Sequence, residues 1–242
     1  DTTTVRASVG NYLIGKYIKE HSDAKVIFNG DGSDELAGGY LYFLAAPDNF
    51  EFDKECRRLL SEIYMFDVLR SDKSISSNGL EPRTPFLDKN FVGGYLSIPI
   101  NERNPRSNGK KLPEKYLLRQ AVQEMAPELL PKEILWRTKE AFSDGVSGNA
   151  GSWFQIISDK IDREIQLNAP SYDYKHNPPQ TKEQIYYREL FERFYPNTAN
   201  VIPHFWMPRF VDAKDSSART LDIYNEQNEA NDIDVERGAK KN

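Results

Sequence analysis

An acidic, glycine-rich turn is the feature of the sequence best suited to chemistry. It spans Gly30–Glu35, with the sequence GDGSDE, and is followed by Gly38, Gly39 and Tyr40. Glycines let a backbone approach a ligand closely, and a helix that starts after such a turn offers free N–H groups to an anion. Three carboxylates suit Mg²⁺ held against phosphate, or an amine that must be deprotonated. A tight turn with acidic helix capping explains the same residues equally well, so the spacing leaves both interpretations open.

Four charged residues elsewhere could join such a site: Arg6, Arg83, Asp88 and Lys139. An Arg or Lys beside a polyphosphate would neutralise the charge that develops on a leaving pyrophosphate. Taken singly, each residue also has an ordinary interpretation. The three basic residues could be solvated surface side chains, and Asp88 could cap the helix that follows it.

Other kinds of site find no support in the sequence. It contains neither a G-x-x-x-x-G-K-[ST] loop nor an H-E-x-x-H motif, and its three histidines lie far apart. Cys56, the only cysteine, excludes an internal disulfide, predicts a reducing cytoplasmic setting, and is expected in the core. The net charge of -5 argues against nucleic acid as the main partner. No apolar run approaches the ~18 residues of a membrane helix.

The hydrophobic pattern predicts an α/β chain that is mostly helical, with few strands. The strand Lys25–Asn29 ends at Gly30, which puts the acidic turn at a strand's carboxyl end, where α/β proteins bind nucleotides. A lone strand leaves its backbone unsatisfied, so neighbouring strands are expected upstream of Asp1. The predicted helices are Val5–Tyr17, Asp34–Leu44, Asp53–Ser77, Asn90–Leu96, Glu114–Met125, Ser152–Asn168 and Lys182–Tyr195.

The chain divides into a folded part and a polar end. Residues 1–210 are predicted to form the later part of a catalytic domain, and residues 211–242 a disordered tail rich in Asn, Asp, Glu and Lys. The first residue is Asp1 rather than Met, which predicts that the chain begins inside a longer reading frame or after processing.

Four stretches, taken in order, resemble the synthetase domain of glutamine-dependent asparagine synthetases. They are residues 2–8 (TTTVRAS), 30–40 (GDGSDELAGGY), 83–88 (RTPFLD) and 136–147 (WRTKEAFSDGVS). The resemblance runs from about Asp1 to about Tyr195. It implies a Rossmann-like parallel sheet of the adenine-nucleotide α-hydrolase type. That family also has an upstream glutaminase domain and an S-G-G-x-D-S pyrophosphate loop, and this sequence contains neither.

The resemblance implies ATP and Mg²⁺ as cofactors, with aspartate and glutamine-derived ammonia as reactants. The aspartate side chain attacks the α-phosphorus of ATP to give β-aspartyl-AMP and pyrophosphate, and ammonia then displaces AMP. The family context implies a cytoplasmic ligase of amino-acid biosynthesis with a glutamine amidotransferase part. Homodimers are also common in the family.

Individual roles follow from the resemblance by position. Thr3, Asn29, Gly30 and Asp34 would bind nucleotide and pyrophosphate, with Asp34 also holding the metal. Asp31 would act where ammonia attacks, at a position where many members have the longer Glu. The remaining implied roles belong to Arg6 and Lys139, beside the polyphosphate, and to Asp88 and Arg83, beside the substrate aspartate.

Two alternatives stay open. A related adenylating amide-former, such as a β-lactam synthetase, shares the scaffold, and a non-catalytic homologue could serve as an assembly or regulatory subunit. We expect the isolated chain to have low activity or none, because the pyrophosphate loop and further strands lie outside it.

Overall fold

A computed structural model describes residues 1–145, 151–164 and 174–224. Over these residues the chain is mostly helical, with a small parallel sheet. Two strands are present, β1 (Val26–Phe28) and β2 (Glu81–Arg83). The α-helices are α1 (Thr2–His21), α2 (Ser33–Ala37), α3 (Asn49–Glu62), α4 (Asp67–Ser76), α5 (Lys89–Ser97), α6 (Ile100–Arg103), α7 (Tyr116–Met125), α8 (Lys132–Leu135), α9 (Phe142–Gly145), α10 (Trp153–Glu164) and α11 (Lys182–Phe194).

Helix α1 begins at Thr2, three residues before the predicted Val5, and its apolar side faces outward. Asp1 caps the helix by accepting a hydrogen bond from the Thr4 N–H. The large apolar residues from Val5 to Tyr17 are exposed, and the buried face carries Thr2, Arg6, Ala7 and Gly15 instead. The helix packs against α4 across a short distance, because Gly15 has no side chain to separate it from α4.

The sheet consists of β1 and β2, paired in parallel with Ile27 opposite Pro82. The loop predicted over residues 77–88 therefore contains a strand. A proline fits there because the amide N–H groups of residues 81 and 83 face β1, and the amide of residue 82 faces away. With no N–H at Pro82, the outer edge of β2 is poorly suited to a further strand. The open edge of β1, where Phe28 is 77% exposed, is the side on which the sheet can grow.

Helix α2 follows the acidic turn but is shorter than predicted. Gly38 has a φ of 61°, a left-handed conformation that ends the helix. The predicted helix Asp34–Leu44 is therefore wrong in its second half, where Leu41–Ala45 form a 3₁₀ turn. That turn buries Tyr42 and Phe43 in the main core.

The long helix predicted over Asp53–Ser77 is in fact two helices, α3 and α4. A 3₁₀ turn at Ile63–Met65 separates them, and Phe66 leaves the helical region with φ -122° and ψ -94°. The side chain of Phe66 is buried in the main core. Burial of this ring at the bend is a tertiary contact that helical periodicity does not reveal.

The later helices agree more closely with the sequence. Helix α5 is capped by Asp88, and helix α11 begins as predicted after Thr181. Helix α7 starts at Tyr116 rather than Glu114, because Lys115 adopts a left-handed φ of 54°. The predicted helix over residues 152–168 is present as α10, and its last four residues lie outside the described part of the chain.

Part of the predicted polar tail is packed. Over residues 211–224, Ser217 and Leu221 are buried, and Asp215 forms an ion pair with Arg6. The prediction of disorder is wrong for these residues, because their few apolar and polar anchors meet partners contributed by distant segments. Residues 225–242 lie outside the described residues. Across the helices that the structure describes, none combines the length and apolar character needed to cross a membrane.

Candidate active site

A cavity of about 370 Å³ lies beside the acidic turn, at the carboxyl end of β1. Its wall includes the turn itself, the first residues of α1, Lys115 before α7, and the segment 137–143 around α9. Two close approaches shape the turn. Gly32 has a φ of 91° and leaves no room for a Cβ beside Leu87, and Gly39 leaves none beside Asp34. Glycine is therefore required at both positions, because a side chain at residue 32 would collide with Leu87 and one at residue 39 with Asp34.

Asp34 is the centre of the polar wall. The Lys115 Nζ lies 2.8 Å from its Oδ1, and the Lys139 Nζ lies 3.3 Å from its Oδ2. Burial opposes ionisation of this carboxyl, yet the two ammonium groups hold its pKa at about 2. The Lys139 ammonium also lies 5.6 Å from the centre of the Tyr40 ring, over its face. Two cations therefore meet one carboxylate on the cavity wall.

The other two carboxylates of the turn behave in the opposite way. Burial raises the pKa of Asp31, and its Oδ2 is buried with no hydrogen-bond partner. Burial and the neighbouring charges of Asp67 and Asp34 raise the pKa of Glu35 to about 8. The Tyr40 hydroxyl donates a hydrogen bond to Glu35. At neutral pH the turn thus presents one firmly ionised carboxylate and two groups of raised pKa.

Thr3, Gly30, Asp31, Asp34 and Lys139 are the predicted site residues that line the cavity. They come from three separate parts of the chain, and the fold brings them together. Asn29 directly precedes Gly30 but does not line the cavity. Its side-chain amide N–H donates to the Ser71 hydroxyl at 2.7 Å instead. The Asn29 side-chain Oδ1 accepts a hydrogen bond from the Asp31 N–H at 3.2 Å, so this side chain supports the turn from behind.

Arg6 lies outside the cavity, contrary to the predicted role beside the polyphosphate. It is only 5% exposed, and its guanidinium donates to Glu183 at 2.9 and 2.6 Å and to Asp215 at 2.7 and 2.9 Å. Two carboxylates already neutralise this one cation. Arg6 lies on the buried side of helix α1, and its guanidinium is held there by Glu183 of α11.

Arg83 and Asp88 also lie away from the cavity. The Arg83 side chain is 58% exposed and pairs with Glu81 at 2.7 Å. Asp88 caps α5 by accepting hydrogen bonds from the backbone of Asn90 and Phe91. Both residues therefore have the ordinary roles that the sequence left open for them.

Sequence reasoning missed several residues of the cavity wall. Lys115 is the main one. Its left-handed backbone conformation leaves no recognisable pattern in the sequence, so a single lysine at this position did not stand out. Arg70 also lines the cavity and pairs with Asp67 at 2.6 Å. Tyr40 and Glu35 lay inside the turn motif, and their mutual hydrogen bond could have been suspected from their proximity.

The arrangement is suited to holding an anion next to a group that titrates. Lys115 and Lys139 together carry one more positive charge than Asp34 neutralises, so a phosphate could replace the carboxylate as their partner. Within the described residues, no group of three or more His, Cys, Asp or Glu side chains is arranged to hold a metal ion. Magnesium bound with a nucleotide needs only one or two carboxylates, because phosphate oxygens and water supply the rest.

The chain matches the family described as asparagine synthase over residues 1–51 and 45–211. It is 52% identical over 227 residues to the glutamine-hydrolyzing asparagine synthetase of Gallus gallus, which covers 93% of this chain and 39% of the relative. The enzymes of the same name from Mus musculus and Homo sapiens are 50% and 48% identical over the same share of each chain. This chain thus spans about two fifths of the length of the curated relatives it matches. The match includes all of the residues that line the cavity up to Pro208, and the chain belongs to the asparagine synthase family.

Proposed function

We propose that the protein containing this chain is a glutamine-hydrolysing asparagine synthetase, and that this chain supplies part of its aspartate-adenylating site. The observation that supports this most directly is the pair of lysines held by Asp34 on the wall of a cavity. Adenylation of aspartate releases pyrophosphate, so the site must hold a highly charged leaving group. The relatives named above are glutamine-hydrolyzing asparagine synthetases.

In the first half-reaction the β-carboxylate of aspartate attacks the α-phosphorus of ATP. The bond to the bridging oxygen of pyrophosphate breaks, and β-aspartyl-AMP forms. Lys139 and Lys115 would exchange Asp34 for phosphate oxygens and balance the charge on the departing pyrophosphate. Thr3 and the backbone of Gly30 lie on the same wall and would contact the nucleotide.

In the second half-reaction ammonia attacks the acyl carbon and AMP leaves. Ammonium must lose a proton before its nitrogen can attack, and Asp31 is a cavity carboxylate whose raised pKa suits a base. One proton is therefore taken up near Asp31 while the amide bond forms. Ammonia would come from glutamine through an upstream glutaminase domain.

Magnesium fits the carboxylates of this wall. The Asp31 Oδ2 is buried without a hydrogen-bond partner, and Asp34 is firmly ionised. A magnesium ion arriving with ATP would draw most of its ligands from phosphate, with Asp34 supplying carboxylate oxygen. When bound, it would screen the negative charge of the triphosphate.

The wider context completes the proposal. The parallel pair β1 and β2 would belong to a Rossmann-like sheet of the adenine-nucleotide α-hydrolase type, extended along the open edge of β1. The catalytic domain would end near residue 210, with the packed residues that follow it closing the site. The protein would act in the cytoplasm in amino-acid biosynthesis, as a homodimer.

Aspartate-dependent ATP–pyrophosphate exchange by the whole protein tests this proposal. We expect labelled pyrophosphate to enter ATP only when aspartate is present. Exchange that depends on a different carboxylic acid would favour a β-lactam synthetase-like enzyme, and no exchange with any acid would favour a non-catalytic homologue. Parallel assays of residues 1–242 alone should show little or no exchange.

A further inference from the structure

The C-terminal segment Asp215–Tyr224 reaches from helix α1 to the loop that holds Lys139. At its beginning, Asp215 binds Arg6 of α1 through both oxygens, at 2.7 and 2.9 Å. Towards its end, Leu221 is buried in the main core. Ser216, Ala218 and Leu221 also line the cavity. The segment therefore lies against the candidate site while being fixed on both sides of it.

The backbone of Lys139 belongs to no helix or strand. It lies in the irregular stretch between α8 and the four-residue helix α9. Its ammonium group contacts Asp34 and donates to the Glu140 carbonyl oxygen at 2.6 Å. The lysine ammonium group sits at the end of a flexible four-carbon side chain. Its position therefore depends on where the backbone of residues 139–140 is held.

The C-terminal segment holds that backbone through Glu140. The Arg219 Nη2 donates to the Glu140 Oε1 at 2.9 Å, and the Tyr224 hydroxyl donates to the same oxygen at 2.6 Å. Burial by itself would raise the pKa of Glu140, but these two donors keep that pKa below its usual value. Glu140 is the residue directly after Lys139, so these bonds restrain the chain next to the lysine.

A second pair of bonds fixes α9 just beyond Glu140. The Arg219 Nη2 also donates to the Asp144 carbonyl oxygen at 2.8 Å, and the Ser217 hydroxyl donates to the Asp144 Oδ2 at 2.6 Å. The Asp144 side chain is buried. One guanidinium thus ties two points of the Lys139 loop, four residues apart, to a segment that is itself anchored on α1 and in the core.

We propose that Arg219 is a positioning residue for Lys139, acting through Glu140 and helix α9. The inference rests on the proposed function, since it assigns Arg219 to the step in which pyrophosphate departs. Arg219 contacts no substrate in this role. It fixes the direction in which the Lys139 side chain leaves the backbone, and a displacement of about 1 Å at such a group can cost up to a hundredfold in rate.

The test measures aspartate-dependent ATP–pyrophosphate exchange by the whole protein carrying Arg219→Gln. We expect about a tenfold loss of exchange rate at saturating ATP, with the KM for aspartate unchanged. The matched control is Arg209→Gln. Arg209 is another partly exposed arginine near the C-terminus with a carboxylate partner, Glu55 at 3.0 Å, but Glu55 does not line the cavity whereas Glu140 does. We expect the control to stay within about twofold of the parent, because Arg58 and Tyr42 still bond Glu55.

A double-mutant cycle separates positioning from general weakening of the fold. If Arg219 acts through Lys139, Arg219→Gln should cause no further loss of exchange in a Lys139→Gln background. A full additional loss in that background would overturn the proposal, as would an exchange rate for Arg219→Gln within twofold of the parent.

Tyr224→Phe provides a milder variant in case Arg219→Gln does not fold. It removes one hydroxyl that donates to Glu140, and we expect about a threefold loss of exchange that also vanishes in the Lys139→Gln background. An unchanged rate in this variant contradicts the proposal. Absence of exchange in the parent protein would instead refute the proposed function, so the two failures are distinguishable.

Discussion

Two clusters of charged side chains in this protein have opposite ratios of cations to carboxylates. In the cavity cluster, Asp34 meets two cations, Lys115 and Lys139. In the closed cluster, a single cation, Arg6, meets two carboxylates, Glu183 and Asp215. The cavity cluster has one positive charge in excess and lies beside open space. The closed cluster has no excess positive charge, and its Arg6 and Glu183 side chains are buried.

The comparison teaches how to recognise a basic residue that is available to a substrate. A cation that is already matched by more than one carboxylate would have to abandon buried negative charges before it could bind phosphate, which is costly. A cation that shares one carboxylate with a second cation can exchange partners without leaving a charge uncompensated. On this criterion Lys139 and Lys115 suit a polyphosphate site and Arg6 does not.

The largest effect is expected on removing the cation of the closed cluster. Arg6→Gln should lower the free energy of unfolding by about 3–5 kcal/mol, because it leaves the buried carboxylate of Glu183 and the half-buried carboxylate of Asp215 uncompensated. Urea unfolding followed by tryptophan fluorescence measures the change. Arg83→Gln is the matched control: it breaks the exposed pair with Glu81 and should cost less than about 1 kcal/mol. Equal costs for the two variants would show that the closed cluster is not a structural one.

The cavity cluster should respond in activity instead of stability. Lys139→Gln is expected to reduce aspartate-dependent ATP–pyrophosphate exchange by about a hundredfold, because charge on the departing pyrophosphate loses a partner. Its unfolding free energy should change little, since Lys115 still neutralises Asp34. Lys182→Gln, which breaks an exposed pair with Asp162, serves as the control and should retain exchange. A Lys139→Gln protein that exchanges normally would exclude this lysine from the reaction.

A smaller effect is expected when the closed cluster is titrated with acid. Although burial opposes it, Arg6 holds the pKa of Asp215 below its usual value. A carboxyl whose folded-state pKa is depressed adds stability above its unfolded pKa, and that stability is lost as the pH falls through the folded-state value. We therefore expect the unfolding free energy to drop below about pH 4. In Asp215→Asn the drop should be smaller by about 1 kcal/mol, and an identical acid limb in both proteins would contradict the assignment.

The sequence predicted the acidic turn and its position well, because local rules decide both. A β-branched strand followed by glycines and a short helix places Gly30, Asp31 and Asp34 at a strand's carboxyl end, and the structure confirms that layout. The cap at Asp88 also follows from a side chain that bonds its own neighbouring backbone. In each case the interacting groups lie within a few residues of one another.

Errors arose wherever a distant contact overrode the local pattern. Periodicity alone favours one helix across Phe66, but burial of that ring in the core bends the chain there. Composition favours disorder after residue 210, but single anchors such as Asp215 and Leu221 suffice to hold residues 211–224 in place. Pro82 suggests a loop, and the open edge of a parallel pair accommodates it in a strand.

The sequence by itself determined that an acidic, glycine-rich turn follows a strand, and which family the ordered motifs resemble. Only the tertiary structure decided which charges face the turn. Lys115 and Lys139 meet Asp34 there, from positions 81 and 105 residues further along the chain, whereas Arg6 is turned away to Glu183 and Asp215. The physical reason is that charge pairing depends on distance in space and on burial, and neither quantity is recorded in the spacing of residues along a chain.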